Sequence, residues 1–226
     1  MFKSLANFFR GVDWTDEIVE SFDRMLALAE ENFILCADTL FDAENPEAIR
    51  DDLYARDREI NHRERKIRRR IISHLAANPS DHEIPTAFIL TSLVKDAERI
   101  GDYVKNLYEV HQIHGGKDLC REAYDRHFDG VRTLAKELFI ETRGCFSDSD
   151  TDRARRVIET GREAMRRCDE ALPVIASGDH EVPEAVSLVL TARYYKRILA
   201  HLVNIATAVV MPADKVDYFD EPLAGD

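Results

Sequence analysis

Glycine and proline are scarce, 9 and 7 residues in a chain of 226, which argues against a sheet-rich fold with many tight turns and for long uninterrupted helices. Cysteine is scarce as well. Cys36, Cys120, Cys145 and Cys168 form no C-x-x-C pair, which argues against a zinc knuckle or disulfide frame and suits small reduced core residues of a cytoplasmic protein. No window approaches the ~20 apolar residues of a membrane-spanning helix, and the opening MFKSLANFFRG lacks the layout of a secretion signal. Positive net charge is missing too. The formal value is −12 and the sequence pI is near 5.2, so no long-range field gathers nucleic acid or anionic lipid. Neither a glycine-rich phosphate loop, nor a nucleophile elbow, nor a catalytic triad is legible in the chain, and no enzyme is expected.

What the chain does have is apolar periodicity of helical spacing, broken by short polar stretches. The pattern predicts six helices. They run from about Trp14 to Phe41 with Asp13 as a cap, from Pro46 to Ala77, and from Asp81 to just before Gly115-Gly116. The other three run from Lys117 to Phe146, from Asp150 to Ala176, and from Asp179 until Pro212 interrupts. Ahead of them, Phe2, Leu5, Phe8 and Phe9 with Lys3 and Arg10 make a short amphipathic stretch. It is read as a strap on the bundle, with peripheral membrane contact as the alternative.

The third and sixth helices open alike, with DHEIP at 81–85 and DHEVP at 179–183. The shift of 98 residues then holds without a gap, and nine of the thirty positions from 81 to 110 are identical, where about two would arise by chance. This is an internal repeat. Behind each opening lies an apolar seam at steps of three and four: Leu90, Leu93, Ala97, Ile100, Val104 and Leu107, copied as Leu188, Thr191, Tyr195, Ile198, Leu202 and Ile205. The expected fold is therefore all-α, two tandem three-helix bundles over 14–114 and 117–211 related by an approximate two-fold. Residues 1–13 form the strap and 212–226 a tail.

Oxygen donors cluster on the second and third helices. Glu98 and Asp102 are four apart and share one face, as do Asp57, Asn61 and Glu64 at steps of four and three. Such donors suit a hard cation. Asp102 points almost opposite the apolar seam, so an ion there is expected on the outer surface, and pairing with Lys95 and Lys105 makes a solvated charged face the alternative. Gly101, just before Asp102, permits close approach of the second helix.

The third-helix stretch DAERIGDYVKN and the second-helix stretch DREINHRE resemble the paired acidic motifs of the PhoU family of phosphate-uptake regulators. The resemblance spans residues 14–211. It implies a six-helix repeat that binds divalent or iron ions at these motifs. It also implies a cytoplasmic homodimer acting between a phosphate importer, through its ATPase or membrane subunit, and a sensor kinase. Two departures limit it. Asn61 stands where the family usually has an acid, and in the second half Glu98, Gly101 and Asp102 map onto Lys196, Leu199 and Ala200, so any metal site is expected in the first half only, from Asp57, Asn61, Glu64, Glu98 and Asp102. Glu159 and Glu163 are read as a surface salt-bridged to Lys196.

Two other functions are weighed: a metal-free structural or partner-binding bundle, and a carboxylate-bridged di-metal enzyme. The latter needs paired E-x-x-H motifs facing the core, and the second helix has only Glu59-His62 at that spacing. Around it runs a basic segment, Arg56, Arg58, Arg63, Arg65, Lys66, Arg68, Arg69 and Arg70 against Asp57, Glu59 and Glu64. This is either solvated helix surface or a docking patch for an acidic partner or phosphate.

Overall fold

A computed structural model describes residues 14–39, 49–77, 81–113, 121–211 and 216. Among them lie all six expected helices and no strand: α1 (Asp16–Thr39), α2 (Arg50–Ala77), α3 (Ile84–Ile113), α4 (Arg121–Asp148), α5 (Thr151–Ser177) and α6 (Val182–Val210). The strap at 1–13, the Asp13 cap, Pro46, Gly115-Gly116, Cys120 and the tail apart from Val216 lie outside the described residues. No described helix is long and apolar enough to cross a membrane.

The repeated openings are helix starts of one kind. The carbonyls of Glu83 and Glu181 accept the first helical amides, from Ala87 at 3.0 Å and Ala185 at 2.9 Å, with Pro85 and Pro183 in the first turn, where a missing N–H costs nothing. α5 starts on an Asp150 side chain that accepts the amides of Asp152 and Arg153 at 3.1 and 2.9 Å. Pro173 sits inside α5, one turn from its end.

α1, α2 and α3 pack on one another, as do α4, α5 and α6, and the halves meet chiefly through α3 on α6, with α1 against α4 as the second contact. Each of those two contacts joins a helix to its own repeat image, as an approximate two-fold requires. The predicted seams are the core: Leu90 through Leu107 on α3, and Leu188 through Ile205 on α6, are all buried. Phe33 of α1 carries that core across the halves, its ring 5.2 Å from Phe139 of α4 and 5.7 Å from Tyr195 of α6. Cys36, Cys145 and Cys168 are buried. Desolvation pushes the thiols of Cys145 and Cys168 up to about 12, so they pack as small hydrophobes and not as nucleophiles.

In each half a glycine sits where an apolar side chain of a neighbouring helix comes close, though on different helices. A Cβ added at Gly101 of α3 would lie 3.1 Å from Ile60 Cδ1 on α2. One added at Gly161 of α5 would lie 2.2 Å from Val203 Cγ2 on α6. Only the first was anticipated from the sequence.

Candidate functional site

The Gly101–Ile60 crossing brings the polar edges of α2 and α3 together along one seam. All five expected donors lie on it. Asp57 and Glu64 are buried at 7% and 9% exposure, and the side chains of Glu98 and Asp102 are 12% and 28% exposed. An outer-surface position, expected from the helical wheel of α3 alone, is therefore corrected: α2 covers that side. A wheel shows which way a residue points but not what lies there.

Within the seam the carboxylates form two pairs, each closed on a lysine. Lys95 Nζ lies 2.6 Å from Glu98 Oε2 and 3.9 Å from Glu64 Oε1. Lys105 Nζ lies 3.2 Å from Asp102 Oδ1 and 3.6 Å from Asp57 Oδ2. Arg68 reaches Glu64 at 3.1 Å, Arg99 reaches Asp102 at 3.5 Å, and the Asn61 amide donates to Asp57 Oδ2 at 3.4 Å. Four acids thus face four cations.

Burial raises the carboxyl pKa of Asp57, Lys105 pulls it down, and Asp102 pushes it up again, for a net rise. Burial also opposes the charge on Lys105, but Asp57, Asp102 and Glu109 outweigh it and raise the ammonium pKa. Hard oxygen donors are the right chemistry for a magnesium, calcium, manganese or iron ion. The arrangement itself is different. Among the described residues no three acidic, His or Cys side chains are gathered as a metal would need, and an ion would enter only by displacing Lys95 or Lys105.

At the positions that the repeat relates to Glu98 and Asp102, the described residues of the second half place no matching acids. Leu199 is buried, and Lys196 Nζ lies 2.6 Å from Asp169 Oδ2. Its expected partners are elsewhere: Glu163 is taken by Arg166 and Arg167 at 2.8 and 3.0 Å. Glu59 is bound to Arg63 at 2.8 Å and His62 is exposed, so this E-x-x-H pair does not project into the core as a di-metal site requires.

Two polar clusters escaped the sequence reading. Asp96 of α3, buried at 6% exposure, accepts from His201 Nδ1 at 2.7 Å and Asn204 Nδ2 at 3.3 Å, both on α6. Arg143 of α4 grips Asp23 of α1 with two nitrogens, at 3.0 and 3.1 Å, and Glu30 at 2.9 Å. Both join the two halves. Their partners are 105 and 120 residues apart, beyond what local spacing can reveal.

Residues 22–110 match the family model described as the PhoU domain, the stretch that contains the whole acidic seam. None of the curated proteins compared matches the chain at a significant level. Among solved structures, the crystal structure of PhoU from Pseudomonas aeruginosa superposes with a TM-score of 0.77 at 22% identity, covering 88% of this chain and 96% of that one. The phosphate transport system regulatory protein PhoU from Streptococcus pneumoniae gives a TM-score of 0.69 at 14% identity, over 94% of this chain and 99% of that one.

Proposed function

We propose, from the match of residues 22–110 to the PhoU domain model, that the chain regulates phosphate uptake and phosphate-starvation signalling. It does so as a non-enzymatic adaptor between a phosphate transporter and a signalling partner. The observation that carries the reading is the coincidence of the matched stretch, residues 22–110, with the half that holds the acidic seam. Two solved proteins of the same fold bear the name PhoU, one of them described as a phosphate transport system regulatory protein. The partners are then the transporter's ATPase or membrane subunit and a sensor kinase, the site of action is the cytoplasm, and a homodimer is the working form. The buried, weakly acidic thiols and the outward-facing Glu59 and His62 supply no catalytic group. Deleting the gene and measuring phosphate uptake together with starvation-gene transcripts tests the proposal. Normal values of both, with a metabolite accumulating, favour an enzyme instead.

For metal, the reading is one cation at Asp57, Asn61, Glu64, Glu98 and Asp102 and none in the second half. Binding is weak and salt-sensitive, because the ion competes with Lys95 and Lys105. Those same lysines favour the second reading, a bundle whose ammonium groups stand permanently where an ion would. Elemental analysis of the purified protein separates the two.

A further inference from the structure

The basic run on α2 divides into two sets. Arg56, Arg63, Arg68 and Arg70 turn toward the body of the protein and are each paired, with Glu31 at 3.3 Å, Glu59 at 2.8 Å, Glu64 at 3.1 Å and Glu17 at 2.6 Å. Arg58, Arg65, Lys66 and Arg69 are exposed, and none has an ion-pair partner among the described residues. The corresponding helix of the second half is more fully paired, with Arg156 the exposed exception. On α5, Arg155 is paired with Asp152 at 2.8 Å, Arg166 with Glu163 at 2.8 Å, and Arg167 with Glu163 at 3.0 Å. Exposed arginines without an ion pair occur elsewhere too, at Arg156 of α5 and at Arg193 and Arg197 of α6, but among the described residues α2 alone carries four such cations.

Three of those cations, Arg58, Arg65 and Arg69, form a ridge with Ile72, and Lys66 lies to one side of it. Positions 58, 65, 69 and 72 fall within about 60° of one another on the helical wheel and extend about 21 Å along α2. The ridge ends on bare hydrocarbon, with Ile72 67% exposed and Phe88 of α3 73% exposed. The crossing at Ile60 and Gly101, and the approach of Glu64 to Lys95, set Ile72 and Phe88 at the same level of the antiparallel pair. Large apolar side chains this bare beside unpaired cations match the composition of a protein interface, where an apolar anchor is rimmed by Arg.

We propose that this face docks an acidic helical segment of a partner protein. Its carboxylates lie along Arg58, Arg65 and Arg69, and its apolar end covers Ile72 and Phe88. A straight ridge of helical spacing matches a second helix. A bilayer fits less well, since the apolar side chains sit at one end only and the chain as a whole carries −12. The inference rests on this face alone and stands apart from the phosphate reading.

The probe is a synthetic stapled helical peptide with Glu at steps of three and four and two Leu at one end. Its binding to the purified full chain is followed by fluorescence anisotropy at low and at physiological salt. Reversal of charge in Arg65→Glu with Arg69→Glu should weaken binding about tenfold and flatten its salt dependence. Phe88→Ser should weaken it with the salt dependence unchanged. Arg155→Glu with Arg166→Glu on α5 should have no effect. The proposal is overturned if the α2 and α5 reversals act equally, if a peptide with its Glu residues scattered around the helix binds as well, or if only phosphatidylglycerol vesicles are bound.

Discussion

Asp96 Oδ1 accepts from His201 Nδ1 at 2.7 Å across the α3–α6 contact, and this pair has an image. The repeat shift of 98 exchanges Asp96 with Tyr194 and His201 with Tyr103, and the rings of Tyr103 and Tyr194 lie 6.2 Å apart. Tyr103 and His201, which the shift exchanges with each other, are stacked at 5.7 Å and 18°, as residues beside the two-fold should be. One half thus uses a hydrogen bond where the other uses an aromatic contact. Removing the imidazole leaves the buried Asp96 with only Asn204. His201→Ala should therefore cost about 3 kcal/mol, Asp96→Ala about 2 kcal/mol, and the double variant less than their sum. Denaturant unfolding of the four proteins checks this, and strict additivity would contradict it.

The two glycine crossings should respond differently to alanine. At Gly101 the new methyl meets the end of Ile60, which can give by a few tenths of an ångström. The gain in helix propensity, about 1 kcal/mol, then offsets most of the crowding. At Gly161 it meets Val203, β-branched and fixed in rotamer, so Gly161→Ala should destabilise by about 1–3 kcal/mol. A thermal melt that ranks Gly101→Ala as the worse variant would refute the packing argument.

Asp57 sets a pH dependence whose sign follows from its burial. Its carboxyl pKa is raised in the folded chain, so the folded state binds more protons than the unfolded one, and ionising the group costs stability as pH climbs from its unfolded value through its folded value. Asp57→Asn removes that cost. The stability of wild type relative to Asp57→Asn should fall as pH rises from the ordinary carboxylate range through the raised folded-state value, and level off above it. Urea titrations at a series of pH values would read it, and a rise over that range would show that attraction to Lys105 outweighs burial.

For metal, Glu98→Ala with Asp102→Ala should abolish binding of manganese or iron and leave helix content intact, since neither side chain is in the core. Lys95→Met with Lys105→Met should do the opposite and tighten binding, because the competing ammonium groups are gone. Elemental analysis and circular dichroism together check both. If the lysine variant holds no more metal than wild type, displacement of those lysines is not the barrier.

Much of the fold was legible because its signal is local. The seam residues of α3 and α6 repeat within one turn, and the DHEIP and DHEVP openings mark two helix starts. The site was half legible: spacing put Asp57 with Glu64 and Glu98 with Asp102 on one face of each helix, but the structure pairs them across the helices, Glu64 with Glu98 on Lys95 and Asp57 with Asp102 on Lys105. Their burial was not, because it depends on how closely α2 approaches α3, a consequence of Gly101 and Ile60 acting together. Arg143 with Asp23, and Asp96 with His201, were out of reach for the same reason. Each pairing joins residues more than one hundred positions apart.

The most direct test of the phosphate reading is the rate of labelled phosphate uptake in phosphate-replete cells lacking the gene, measured alongside starvation-gene transcripts and repeated with the gene restored. The account predicts altered uptake or raised transcripts in the deletion and a return to normal on restoration. Uptake and transcripts that stay unchanged through deletion and restoration would contradict it.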